Sequence, residues 1–126
     1  KSKKGLMSWS KLENLDENAL NALPVGLFCV DDQGTVQRAN TNALQWPDVT
    51  DDAPSTLSGA NFFEDLAPAA NNALFRGRFE AGVESGAMDE RFFYTYVSEH
   101  APPANLVVRL HSKPAESAHW ILFRVL

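Results

Sequence analysis

The sequence has few of the residues from which metal and redox sites are usually built. A single cysteine, Cys29, excludes an intrachain disulfide and any metal site that needs several cysteines. The three histidines, His100, His111 and His119, have neither the helical i, i+4 spacing of a metal pair nor a short ligand motif. We therefore expect no metal site, solvated or singly hydrogen-bonded histidines, and a Cys29 that behaves as a small buried hydrophobic residue.

Excess positive charge and long apolar runs are also missing. The chain has 11 Lys and Arg residues against 16 Asp and Glu residues, which gives a net charge of −5. This argues against nucleic acid or an anionic membrane as the main partner. No run approaches the roughly 18 apolar residues of a membrane span, so no membrane insertion is expected. No Ser-His-Asp order or glycine-rich phosphate loop is found either, and we expect no enzymatic activity.

The residues that are there suffice for one domain. The chain has 126 residues, of which 44% are hydrophobic, and a chain of this length buries about two-thirds of its unfolded surface. Residues 1–10 form a basic tail, for which a tag-derived origin is one interpretation. Residues 11–23 are predicted to form an amphipathic N-terminal helix, and residues 24–126 form the domain itself. Such a helix either docks on its own domain or pairs with a second copy.

The order of the predicted elements indicates an α+β fold. Residues 25–30 form an apolar run typical of a buried strand, residues 31–34 form a turn that ends in glycine, and residues 35–39 form the return strand. The middle of the chain is helical, with asparagines at the capping positions. Asn71 or Asn72 is predicted to cap a helix that runs to about Ser85, and Gly86 stands where its C-terminal cap belongs. Three further strands are predicted at residues 91–97, 106–111 and 119–125.

Several separated motifs resemble the photoactive yellow protein family of PAS domains. The acidic-glycine turn at residues 31–36 is followed by Asn40, and the other similar segments are residues 59–68, 75–86, 93–96 and 120–123. The resemblance covers nearly the whole chain from about Leu12 onward, with a small insertion around residues 48–57. It implies a PAS fold, which is a five-stranded antiparallel sheet flanked by helices, and a bacterial signalling context.

Three alanines stand where the resemblance implies polar groups of a photochemical site. Ala69 follows the Ala-Pro pair, where the family has the cysteine that carries a thioester-linked coumaroyl chromophore. Ala39 and Ala43 match the positions of a tyrosine and a glutamate that hold the phenolate. Alanine offers neither a nucleophile nor a hydrogen-bond donor. Residues 40–85 also lack the histidine of a haem site and the cysteine of a LOV-type flavin site. The resemblance therefore implies a colourless domain without a cofactor.

Two functions fit such a domain. The first is a non-photochemical signalling or scaffold domain that binds a protein partner of a bacterial signalling or localisation pathway, or a second copy of itself as a homodimer. Its contacts would be made by the N-terminal helix, by an exposed sheet face, or by both. The candidate residues of the sheet face are Phe93, Val97, Val107, Ile121 and Phe123. The second is a sensor that binds an apolar small molecule noncovalently in the former chromophore pocket, for which the candidate lining is Phe28, Phe62, Leu66 and Tyr96.

The space beside the three alanines distinguishes these functions. If Leu44, Trp46, Phe62 or Leu66 fills it, as the cost of a core cavity favours, the interaction domain is supported. An enclosed apolar cavity large enough for a ring would support the sensor. We expect a cytoplasmic protein in both cases.

Overall fold

The structure, a computed structural model, describes residues 16–112 and 118–126. In this part of the chain, five antiparallel strands form one sheet. The order of the strands in the sheet is β2-β1-β5-β4-β3. Their bounds are Gly26–Val30 for β1, Val36–Ala39 for β2, Met88–Tyr96 for β3, Ala104–Ser112 for β4 and His119–Val125 for β5. The predicted α+β fold with a five-stranded antiparallel sheet is confirmed.

The turn between β1 and β2 forms as the sequence predicts. Gly34 has a φ of 89°, a conformation that glycine adopts without the steric cost of a Cβ atom. One carboxylate oxygen of Asp31 accepts hydrogen bonds from the backbone amides of Gln33 and Thr35, each at 2.9 Å. The two strands then pair with Phe28 opposite Ala39.

Short helical segments connect β2 to β3 and cover one face of the sheet. They are the 3-10 helical turns Thr41–Gln45, Pro54–Leu57 and Pro68–Ala70, the π-helical turn Phe62–Leu66, and the helix α2 at Arg76–Ser85. The predicted start of α2 at Asn71 or Asn72 is wrong, because α2 begins at Arg76 with Phe75 at its cap position. The Asn72 side chain accepts from the Phe75 amide at 3.1 Å in the turn that precedes the helix. Gly86 ends α2 in the left-handed conformation, as predicted.

Both faces of the sheet bury apolar side chains. The inner face, toward the helical segments, carries the larger core, which includes Phe28, Val30, Tyr96, Leu106, Val108, Leu110, Ile121 and Phe123. A second cluster lies on the outer face and consists of Leu20, Leu27, Cys29, Trp120 and Leu122. Cys29 is buried there and forms no disulfide, as expected.

The described part of the N-terminal helix, α1 at Glu17–Asn21, docks on its own sheet. Asn40, which is fully buried, holds it there: its side-chain amide donates to the carbonyls of Leu20 at 3.0 Å and Val25 at 2.8 Å. Its oxygen accepts from the amides of Leu27 at 2.9 Å and Ala43 at 3.0 Å. Residues 1–10 and 11–15 of the predicted tail and helix lie outside the described residues. No helix among the described residues has the length and apolar character needed to cross a membrane.

Candidate functional site

A tryptophan side chain occupies the centre of the inner core. Trp46 is only 1% exposed. Its ring makes edge-to-face contacts, with interplanar angles of 66–88° and centroid distances of 5.0–6.4 Å, with the rings of Phe28, Phe62, Phe75, Tyr96 and Phe123. Aromatic rings prefer this geometry and these separations. The indole therefore fills the space that these five side chains surround.

The local backbone directs Trp46 inward. Asn40 caps the 3-10 helical turn Thr41–Gln45, and Trp46 closes it by donating its amide to the Ala43 carbonyl at 3.1 Å. Residues three apart in a 3-10 helix lie on the same side, and both Ala43 and Trp46 are buried. The methyl group at position 43 takes little of the space on this side, which leaves room for the indole.

The four residues expected to line a ligand pocket lie in this same core. Phe28, Phe62 and Tyr96 contact the Trp46 ring, and Leu66 is buried in the same cluster. Three of the four therefore surround an internal side chain, and among the residues expected to move inward it is Trp46 that takes the central position.

A polar network closes one side of the aromatic core. The Tyr96 hydroxyl donates to Asp48 at 2.5 Å, and the Ser98 hydroxyl donates to the other oxygen of the same carboxylate at 2.7 Å. Burial raises the pKa of the Tyr96 phenol well above its usual value, and the hydrogen bond to Asp48 raises it further, whereas the hydrogen bond from the Ala69 amide lowers it. Tyr96 therefore remains a neutral donor. Among the described residues, no acceptor forms a hydrogen bond with the Trp46 indole N–H.

Two tyrosines of β3 hold residue 69 by its backbone. The Ala69 amide donates to the Tyr96 hydroxyl at 3.3 Å, and the Tyr94 hydroxyl donates to the Ala69 carbonyl at 2.7 Å. Asn72 donates to the Tyr94 hydroxyl at 2.8 Å. The sequence interpretation missed Asp48 and Asn72, since isolated polar residues in a loop give no pattern by which a long-range partner can be recognised.

The three alanines belong to or border the inner core, whereas the cysteine belongs to the outer cluster. Ala43 is fully buried, while Ala39 and Ala69 are partly buried against the inner core. Ala39 also borders a surface groove with Leu20. Cys29 belongs to the cluster on the outer face, so its thiol lies across the sheet from Ala69.

The expected partner surface is only partly exposed. Phe93 is 75% exposed, Val97 is 60% exposed, and Val107 is half-buried opposite Phe93. The expectation that Ile121 and Phe123 face outward is wrong, because both point into the inner core and are 0% and 2% exposed.

Two of the three histidines lie beside aspartate carboxylates. Among the described residues, no three His, Cys, Asp or Glu side chains come together as metal ligands. His119 is buried, with its Nε2 atom 2.6 Å from an Asp32 carboxylate oxygen. His111 lies near Asp89 on the outer face, where burial lowers its pKa, opposed by the Asp89 charge.

Known proteins show consistent similarity over most of the chain, although no family model matches it. A photoactive yellow protein from Halochromatium salexigens is 31% identical over 117 residues, which cover 91% of this chain and 89% of that protein. The solved structure of the photoactive yellow protein domain of a sensor histidine kinase from Rhodospirillum centenum is 30% identical, with a TM-score of 0.80 over 91% of this chain and 97% of that domain. A PAS domain from Haloarcula marismortui, 18% identical, has the same fold with a TM-score of 0.59, over 93% of this chain and 99% of that one.

Proposed function

The chain belongs to the photoactive yellow protein family, and from this premise we propose that it is a non-photochemical PAS domain that acts in bacterial signalling by protein–protein interaction. Its role is that of a signalling or scaffold domain, with a protein partner in trans or a second copy of the chain. The observation that carries the proposal is the Trp46 indole, which fills the centre of the inner core.

The residues present do not fit a thioester-linked chromophore. Ala69 presents a methyl group at the position that the family resemblance assigns to the attachment cysteine, and a methyl group cannot form a thioester. Cys29, the single thiol of the chain, belongs to the cluster on the opposite face of the sheet. No photochemical step follows from these residues, and the proposed domain is colourless and without a cofactor.

The packing around Trp46 also disfavours the small-molecule sensor. Edge-to-face contacts with five aromatic rings hold the indole in place. A ligand with an aromatic ring would have to displace this side chain and compensate for the lost contacts. We therefore favour signalling through the surface of the domain.

The proposal includes no catalytic activity and a cytoplasmic location. The polar groups beside the core bond to one another: Asp48 accepts from Tyr96 and Ser98, and the raised pKa of Tyr96 keeps its phenol protonated. Groups held in this way are suited to fixing the loop at Asp48 and the turn at Ala69 against β3.

Affinity capture in the dark and in blue light tests this proposal. The purified chain is immobilised, exposed to a lysate of its bacterial host, and assayed in parallel for self-association by light scattering. We expect a specific protein partner, or a dimer, in equal amounts under both conditions. Capture that requires illumination would contradict the non-photochemical assignment, and a monomer that captures nothing in either condition would contradict the interaction function.

A further inference from the structure

An arginine-rimmed apolar patch lies on the outer face of β3, β4 and β5. Phe93 pairs with Val107 across β3 and β4, Val107 pairs with Arg124 across β4 and β5, and Arg91 pairs with Arg109 in the next row. Directly opposite residues in an antiparallel sheet have Cβ atoms about 4.5–5.5 Å apart. These five residues, named here the Phe93 patch, are therefore contiguous.

Phe93 is the apolar centre of this patch. It is 75% exposed, although a phenylalanine in a sheet gains free energy by burial. A shallow groove beside it is lined by Thr95, Asn105 and Leu126, among others, and Leu126 is itself 60% exposed. The Leu126 amide donates to the Asn105 carbonyl at 2.8 Å, which holds it beside β4. An apolar side chain of a partner can thus be seated between Phe93 and Leu126.

The charges around Phe93 are positive on a protein whose net charge is −5. Arg91 and Arg124 are exposed and form no ion pair with the described residues. Arg109 lies 3.4 Å from Asp89, which neutralises part of its charge. Two arginines thus remain for carboxylates of a partner, and arginine binds carboxylates with directional paired hydrogen bonds.

The same charges disfavour a second copy as the occupant. A two-fold axis through this surface would place the patch against itself. The three arginines of one copy would then face the three arginines of the other. Like charges brought together in an interface oppose association.

We propose that the Phe93 patch binds an acidic amphipathic segment of a protein partner. An aromatic or aliphatic side chain of that segment packs against Phe93 and Leu126, and its carboxylates pair with Arg91 and Arg124. This inference rests on the proposed interaction function and adds the binding surface and the chemistry of the partner. The net negative charge of the chain opposes nucleic acid and anionic membranes, for which a few arginines are a small footprint.

Selection from a random 12-residue peptide display library on the full chain tests the proposal. Sequences with Asp or Glu around one large apolar residue are expected to be enriched. The strongest binder, made as a labelled synthetic peptide, is then measured by fluorescence anisotropy. Phe93→Ser should weaken the affinity of the chain for this peptide by about tenfold or more, as for the central residue of an interface. The double change Arg91→Glu with Arg124→Glu should weaken this affinity further than Arg91→Gln with Arg124→Gln.

Leu74→Ser is the matched control, because Leu74 is 67% exposed on the segment that precedes α2, away from the patch, and this change should leave peptide affinity unchanged. Enrichment of basic or neutral peptides, or binding that survives Phe93→Ser, would overturn the inference, as would tighter binding of anionic vesicles or single-stranded DNA than of the peptide. Light-independent capture of a partner that survives Phe93→Ser would overturn this inference alone and leave the interaction function standing.

Discussion

Replacing Trp46 by alanine is expected to remove several kcal/mol from the free energy of unfolding. An aromatic side chain of this size buries about 150–250 Å², which corresponds to about 4–6 kcal/mol at about 25 cal/mol per Å². Truncations of Trp in protein cores cost about 3–5 kcal/mol. Because Trp46 is 1% exposed and touches five rings, we expect a loss of about 3–5 kcal/mol for Trp46→Ala.

Urea unfolding followed by circular dichroism measures this loss. With a denaturant slope of about 2 kcal/mol per M, the midpoint should fall by about 2 M. Leu74→Ala serves as the control, since Leu74 is 67% exposed, and it should change the free energy of unfolding by less than about 0.5 kcal/mol.

Added indole gives a second measurement on the same variant. A cavity lined by aromatic rings is expected to take up an aromatic molecule, and indole at about 100 times its dissociation constant should restore about 2.7 kcal/mol. The wild-type protein should not respond, because its own indole occupies the space. A loss below about 1 kcal/mol, or a folded variant that indole does not stabilise, would refute the conclusion that Trp46 fills this site.

The remaining predictions concern the polar network at Tyr96 and two glycines. Tyr96→Phe removes the donor to Asp48 and should cost about 1–3 kcal/mol in urea unfolding; a cost near zero would mean that the hydrogen bond does not stabilise the fold. Because the pKa of Tyr96 is raised in the folded state, its contribution to the free energy of unfolding is fully present below the unfolded pKa of about 10 and is lost as the pH rises above that value. Tyr96→Phe should therefore lessen the loss of stability at alkaline pH. If the variant and the wild type lose stability equally above a pH of about 10, the assigned burial of the phenol is contradicted. Gly34→Ala, at a φ of 89° and with its new Cβ 3.1 Å from the Phe63 ring, should cost about 1–2 kcal/mol. Gly77→Ala, in α2 with ordinary space for a Cβ, should instead stabilise the protein by about 0.5–1 kcal/mol, and equal effects of the two changes would contradict the conformational argument.

Local chemistry explains why much of the fold could be predicted from the sequence. Gly34 marks a turn that requires a positive φ, Gly86 marks a helix end, and Asn40 marks a cap. Each of these signals depends on a few neighbouring residues, so it can be recognised in a single sequence. The start of α2 was misplaced because Asn72 stabilises the turn before the helix, where its side chain accepts from the Phe75 amide and donates to the Tyr94 hydroxyl.

The prediction that Ile121 and Phe123 are exposed was wrong because their strand, β5, is covered on both faces. In β5, Trp120 and Leu122 are buried in the outer cluster and Ile121 and Phe123 in the inner core. All four residues are apolar, so the alternation that normally identifies the exposed face is absent. The polar network around Asp48 could not be predicted from the sequence either, because its hydrogen bonds with Tyr96 and Ser98 join residues that are 48 and 50 positions apart.

The absorption spectrum after reaction with activated coumaric acid tests the central claim most directly. Free reagent is removed, the intact mass is measured, and a small thiol compound is treated in parallel to show that the reagent is competent. Cys29→Ser controls for acylation of the single thiol. We predict that the wild-type chain shows no visible absorption band. A stable visible band, accompanied by the mass increase of a bound coumaroyl group, would contradict the account.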